Sequence, residues 1–397
     1  MTLTVSIKPS VSNAMADLQK PQRHVIIWAA SFGLGLFALA IAFGANWRAP
    51  ALTLVGLSLG FVLFQSTFGF AGSFRAALVQ GDFSGFRAQA FALAISSLIF
   101  FPLLNLGSVF GMPLNGFVTS IGVSFIFGAI LFGIGMQIGG GCASGTLFSL
   151  GGGNMRLLVT LMFFIVGSAI GAAHLDFWRE LPAFPATTTQ DILGWPLALG
   201  VHLCLFAAVI KFAPRKSQGE QIAPKKTDTP FGLFGRPWSL LWGAVALGVL
   251  NGLTMVLAGR PWGETSGFTL WGSKIALHLG FDAASWPYWR GNPGPLFVNI
   301  FSDITTLMDF GIIIGATLAA ALSGRFVLQL DWRGRSNLAA CLGGLLMGYG
   351  ARLSDGCNIG AYFSALASGS LSAWVWVAAA FIGSAIGIRL RPILNLA

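Results

Sequence analysis

Charge is what this sequence has least of: Asp, Glu, Lys and Arg together make up 9% of its 397 residues. A soluble chain carries about 25%, so this one lacks the polar atoms to cover a water-facing surface. Acidic residues are the scarcer sign, 13 against 23 basic. There are four histidines and four cysteines, Cys142, Cys204, Cys341 and Cys357. So few thiols in so long a chain exclude a disulfide framework, and no C-x-x-C spacing points to zinc or dithiol redox chemistry. No metal site and no cofactor are expected. Nothing resembles a nucleotide-binding loop, which argues against an ATP-driven pump within this chain. The short alternating segments of a transmembrane β-barrel are missing as well.

Apolar sequence takes the place of what is missing. Hydrophobic residues make up 55% of the chain and the mean hydropathy is +0.76. Runs near twenty residues, the length a helix needs to cross about 30 Å of hydrocarbon, recur from end to end. The expected fold is an all-α polytopic membrane protein of about ten spans, at 24–44, 51–70, 87–106, 118–138, 155–174, 191–212, 238–258, 304–323, 338–351 and 370–390. Two apolar pieces, 143–150 and 358–367, are too short to cross and read as half-length re-entrant helices; partial segments lie at 72–80 and 268–280. The first run is long for a signal peptide and reads as an uncleaved span.

A net charge of +10 would suit nucleic acid, but the placement of the cations favours a membrane. With the N-terminus inside and the spans alternating, Lys8, Lys20, Arg23, the linker 211–236, the segment 325–335, Arg389 and Arg391 all face the cytoplasm. The outside keeps Arg48, Arg179, Arg260, Lys274 and Arg290. That bias follows the positive-inside rule. It implies an inner (cytoplasmic) membrane location with both termini cytoplasmic, a lipid bilayer as partner and no nucleic acid. The Pro- and Lys-rich stretch 211–236 divides the chain. Residues 1–50 form a tail and an extra first span, 51–210 a first repeat, and 237–397 a second.

The halves repeat one another. "GAILFGIGMQIGGGCASGTLFSL" (128–150) aligns with "GGLLMGYGARLSDGCNIGAYFSA" (343–365), and both cysteines fall among the matching positions. The following helices share "GSAIG", at 167–171 and 383–387. In the span assignment the helix before Cys142 runs inward and the helix before Cys357 outward, so the two copies are pseudo-symmetric and inverted. Inverted repeats with interrupted helices are a hallmark of secondary transporters, whose substrate site lies between the copies near the midplane.

The loops "GGGCASG" and "SDGCNIG" carry the candidate site. Gly139, Gly140, Gly141 and Gly356 let the backbone leave the helix. Such unwinding is tolerated at membrane depth only inside protein or beside a polar cavity. Each half-helix then opens with unpaired N–H groups carrying about half a positive charge. The candidate substrate-binding residues are Cys142, Cys357, Gly140, Gly141, Ser144, Gly145, Gly356 and Asn358, joined by Gln65 and Ser66 from the broken stretch at 60–78. No catalytic residue is assigned. Cys204 and Cys341 read as small buried hydrophobes. Asp355 beside an anion site calls for a cap role or a proton, and Arg352 is placed to pair with it.

These residues resemble the YeeE/YedE family of sulphur-transport membrane proteins, over about residues 51–391, chiefly through 128–146 and 348–376, with weaker support from 60–75. The resemblance implies an hourglass-like pore protein, not an enzyme, that imports thiosulphate along a path of cysteine thiols. Cys142 and Cys357 match two family cysteines, while Gly69 stands where the third thiol falls and Ser66 where the family has an arginine. The substrate expected is thus thiosulphate or a related sulphur or selenium species. A membrane sulphur-transfer enzyme with Cys142 as persulphide carrier, or a passive channel for a neutral solute, is the rival. A small cytoplasmic sulphur-carrier protein is the candidate soluble partner for the basic inner face.

Overall fold

In hydrocarbon a segment must satisfy its own backbone hydrogen bonds, and for a single apolar run only the helix does so. The computed structural model describes residues 21–44, 46–215, 235–330, 334–394 and 396, so Lys8, Lys20 and most of the basic linker lie outside them. In chain order the helices are α1 (Arg23–Phe43), α2 (Arg48–Ser66), α3 (Phe70–Arg75, running on as a π-helical turn, Ala76–Gln80), α4 (Ser84–Leu106), α5 (Val123–Ile138), α6 (Ala143–Gly151) and α7 (Arg156–Ala173). There follow two short helices, α8 (Leu175–Arg179) and α9 (Thr189–Leu193), then α10 (Trp195–Phe212), α11 (Leu240–Ala258), α12 (Thr265–His278), α13 (Ile304–Leu322) and α14 (Gly334–Leu353). A π-helical turn, Asn358–Ser364, continues as Ala365–Ala367, and α15 (Ser372–Leu390) ends the series. Strands among the described residues are two-residue pairs only, 108–109 with 112–113 and 121–122 with 183–184.

Among the described residues, nine helical segments are long and apolar enough to cross a membrane. The expected span at 338–351 exists as α14, 20 residues long, but it is not one of the nine. Arg335 and Asn337 at its start, Arg352 at its end and its five glycines dilute its apolarity, and it packs between α5 and α7. The expected span at 191–212 is also shorter: Thr188 and Asp191 form a capping box that starts α9, and Gly194, at φ +73°, turns the chain into α10.

The packing partners exchange in pairs. α2 lies on α13 as α11 lies on α4; α7 lies on α14 as α15 lies on α5; α5 meets α14, and α2 meets α11. The same exchange relates α1 on α13 to α10 on α4, so α1 and α10 occupy matching places. This pattern indicates internal pseudo-symmetry.

Glycine sets the spacing at these contacts. A Cβ built on Gly60 would strike the Ile312 carbonyl, and one on Gly315 the Leu57 carbonyl, so α2 and α13 touch backbone to backbone. On α5 and α14 the corresponding atoms would meet too, Gly135 at 2.7 Å from the Gly343 carbonyl. Without a hydrophobic drive between helices in lipid, such close approach is what holds them together. Gly60→Val should therefore cost about 1–3 kcal/mol by overpacking, read as a lower apparent melting temperature in detergent. Gly72→Ala, where a built Cβ meets nothing within 4 Å, should leave that temperature unchanged. Equal melting of both variants would refute the packing account.

Candidate functional site

The first break begins where α5 makes its last turn. Gly139 N–H bonds the Gly135 carbonyl at 2.8 Å, and Gly140 then takes φ +92°, a left-handed conformation suited to glycine. Cys142, extended at φ −80°, ψ −170°, N-caps the nine-residue α6. The freed carbonyls are satisfied from nearby hydroxyls and amides. Thr160 Oγ1 donates to the Gly139 carbonyl at 3.0 Å, and Thr146 donates to the Cys142 carbonyl through N–H at 2.8 Å and Oγ1 at 2.7 Å. The Cys142 thiol is buried, 3.4 Å from Ser144 Oγ, with backbone of Gly145 and Ala71 against it.

The second break reaches a similar arrangement by a different route. Asp355 takes the left-handed φ of +51°. A Cβ on Gly356 would sit 2.7 Å from the Ala361 nitrogen. Cys357, extended at φ −117°, ψ −166°, N-caps the half-helix, and its Sγ accepts from Ile359 N–H at 3.4 Å. The half-helix opens as π rather than α. Asn358 is fully buried, and neither its Oδ1 nor its Nδ2 has a partner. Arg352 does not pair with Asp355: its Nη2 donates to Thr265 Oγ1 at 2.7 Å, and Asp355 is exposed.

The half-helix headed by Cys142 packs against the one headed by Cys357. The start of α3 packs beside them. The Phe70 ring stacks edge-on to Tyr362 and Phe363 at 6.4 and 5.8 Å, and Ala71 contacts the Cys142 thiol through its backbone. Gly69 precedes this helix at φ −99°, and a Cβ there would find nothing nearer than 3.9 Å.

The structure thus brings Gly139, Gly141, Cys142, Ser144, Gly145, Gly356, Cys357 and Asn358 into one buried region, while Gly140 is exposed. Gln65 and Ser66 are engaged elsewhere: Gln65 Oε1 accepts from Arg325 Nη2 at 2.6 Å, and Ser66 Oγ donates to the Val62 carbonyl at 2.6 Å. Nor are Cys204 and Cys341 buried as read. Cys204 is exposed and Cys341 half-buried, because a helix on the rim of a membrane protein turns apolar side chains outward to lipid.

Residues that sequence reasoning passed over complete the region. Between α11 and α12, Asn251 Oδ1 accepts from Trp262 N–H at 2.9 Å, and Asn251 Nδ2 donates to Ser364 Oγ at 3.3 Å. Ser364 Oγ in turn donates to the Trp262 carbonyl at 2.7 Å. This triangle ties the α11–α12 break to the Cys357 half-helix. Glu264 N-caps α12 and is buried, with its Oε2 3.9 Å from the Cys357 thiol. Asp309 is buried within α13. The signal was available, because an ionisable residue at membrane depth marks a functional site by default. Asn251→Leu would leave the buried Trp262 N–H unpaired, a loss of about 1–3 kcal/mol. It should lower the apparent melting temperature in detergent, and a variant as stable as the parent would show that the triangle holds nothing.

A profile of the family described as sulphur transport matches residues 65–386. The chain is 29% identical over 347 residues to the thiosulfate transporter TsuA of Spirochaeta thermophila, covering 81% of this chain and 92% of that one. It is 27% identical over 318 residues to the thiosulfate transporter TsuA of Escherichia coli, covering 77% and 84%. To the probable transporter YedE of Escherichia coli it is 30% identical over 166 residues, 40% of each chain.

Proposed function

The chain belongs to the sulphur-transport family of membrane transporters, and on that footing we propose that it imports a small sulphur anion, thiosulphate first, along a path between the Cys142 and Cys357 breaks. The observation that carries this reading is the pair of buried cysteines, each at the N-cap position of a half-helix and with the two half-helices in contact, beside the unpartnered Asn358.

Moving a dianion through hydrocarbon costs tens of kcal/mol by a Born estimate, so the path must replace most of its hydration. Neutral donors do this without trapping the ion. Two S–H groups supply weak, polarizable donors suited to soft sulphur, two half-helix N-termini supply amide N–H groups, and the unpartnered Asn358 Nδ2 has its N–H groups to offer. A lysine at the same place would bind the anion harder and release it more slowly. In this reading the halves are inverted repeats forming an hourglass, and the path crosses at their meeting point. The basic segments lie on the cytoplasmic side with both termini, where a small sulphur-carrier protein would receive the product. Gly69 favours a second reading of the cargo, a related sulphur or selenium anion, since a path with two thiols asks less of its ion than one with three.

Uptake of [35S]thiosulphate by cells lacking their own transporters tests this reading. Cys142→Ala and Cys357→Ala should each lower uptake at least tenfold with membrane levels unchanged. Gly69→Cys, placed in open space, should be produced normally and raise uptake. Normal uptake by a variant without Cys142 and Cys357 would remove the thiols from the mechanism.

A further inference from the structure

Among the described residues, two acids in the core form no ion pair within 4 Å. Glu264 is 1% exposed with Oε1 unpartnered, and Asp309 is 0% exposed with both oxygens unpartnered. Asp309 Oδ2 sits over Gly267, 2.7 Å from where a Cβ would be built. It therefore lies against the first turn of α12, which Glu264 caps. Glu264 Oε2 lies 3.9 Å from the Cys357 thiol, so both acids lie at the start of α12, one of them against a thiol.

The charged groups around them are committed to other partners. From α14, Arg352 Nη2 donates to Thr265 Oγ1 at 2.7 Å. From the α11–α12 connection, Arg260 Nη2 donates to Thr305 Oγ1 at 2.7 Å. Ahead of α13, Asp303 Oδ2 accepts from Thr306 N–H and Oγ1 at 2.7 and 2.8 Å. Among the described residues, no ion pair within 4 Å reaches Glu264 or Asp309.

Set beside a path for a dianion, such a group has a definite consequence. A charged Glu264 next to Cys357 repels the anion; a protonated one donates a hydrogen bond to it. Anion binding and proton binding then favour each other, by equal factors in both directions. We propose that Glu264, backed by Asp309, carries a proton together with the anion, so that this protein is a proton–anion symporter. The proton comes from water on the side where the anion enters. It rests on the Glu264 carboxyl while the anion occupies the site, and it leaves to water on the far side after the anion does, returning the carboxylate to its starting state. No electron moves and no covalent bond to sulphur forms. With an inside-negative potential, a dianion crossing alone would be driven outward; one accompanying proton halves the opposing charge that must be moved and adds an inward proton gradient to the drive.

The inference rests on the anion-transport reading above, and the experiment separates the two. Purified full-length protein is reconstituted in liposomes with a trapped pH dye. In the wild type, added thiosulphate should acidify the lumen, and an inward proton gradient should raise [35S]thiosulphate accumulation at least fivefold. In Glu264→Gln, close in shape but unable to release a proton, the ratio of gradient-driven uptake to counterflow, at least fivefold in the parent, should fall to about one and lumenal acidification should be lost; Asp309→Asn should lower that ratio. Wild-type counterflow without lumenal acidification overturns the coupling and leaves the transport reading standing. A Glu264→Gln protein that still responds to the gradient removes Glu264 from the role. Absence of counterflow in the wild type removes thiosulphate as cargo and the coupling with it.

Discussion

Within hydrocarbon, a backbone N–H or carbonyl that leaves a helix has no water to turn to, and each one left alone costs several kcal/mol. This chain leaves its helices at 67–69, 139–142, 259–264 and 354–357, and the rest of the structure is arranged so that those departures are paid for. Thr160 and Thr146 take up carbonyls at the first cysteine loop. Gly356 N–H bonds the Ala351 carbonyl at 2.8 Å at the second, and Ser354 Oγ reaches the Gly350 carbonyl at 2.8 Å. Asn251 and Ser364 do the same for Trp262. Beside these satisfied groups, Asn358, Glu264 and Asp309 are buried with side-chain atoms that have no partner.

That arrangement depends in turn on how closely the helices approach. Glycines on α2 and α13, and on α5 and α14, bring backbones into direct contact, which excludes lipid from the broken segments. The exchange of packing partners, α2 on α13 against α11 on α4 and α1 on α13 against α10 on α4, brings the two cysteine loops to a common place. A single broken helix would expose its amides to lipid; two facing each other enclose them.

Much of the site was legible because it repeats. Cys142 and Cys357 stand at one offset in a string of matched residues, and glycine before a short apolar piece signals a broken helix in any membrane chain. The structure keeps Ser144 beside Cys142 and leaves Asn358 buried and unpaired. Gln65 and Ser66 are polar residues at a helix end, and sequence does not say which neighbour will bond them; Arg325, far along the chain, bonds Gln65. Glu264, in the α11–α12 break, was passed over because the thiol it meets is 93 positions away in the chain.

Composition and periodicity alone settled that this is a helical membrane protein with two broken helices, since a chain with 9% charge has no other solvent in which to fold. They also placed a cysteine at the head of each half-helix, because glycine flexibility and helix length are local properties. Which groups face those thiols was decided by the tertiary structure. The Glu264 carboxyl, the Ala71 backbone and the Asn251–Ser364–Trp262 triangle are brought there by packing between helices distant in sequence, and such contacts leave no periodic trace in the chain.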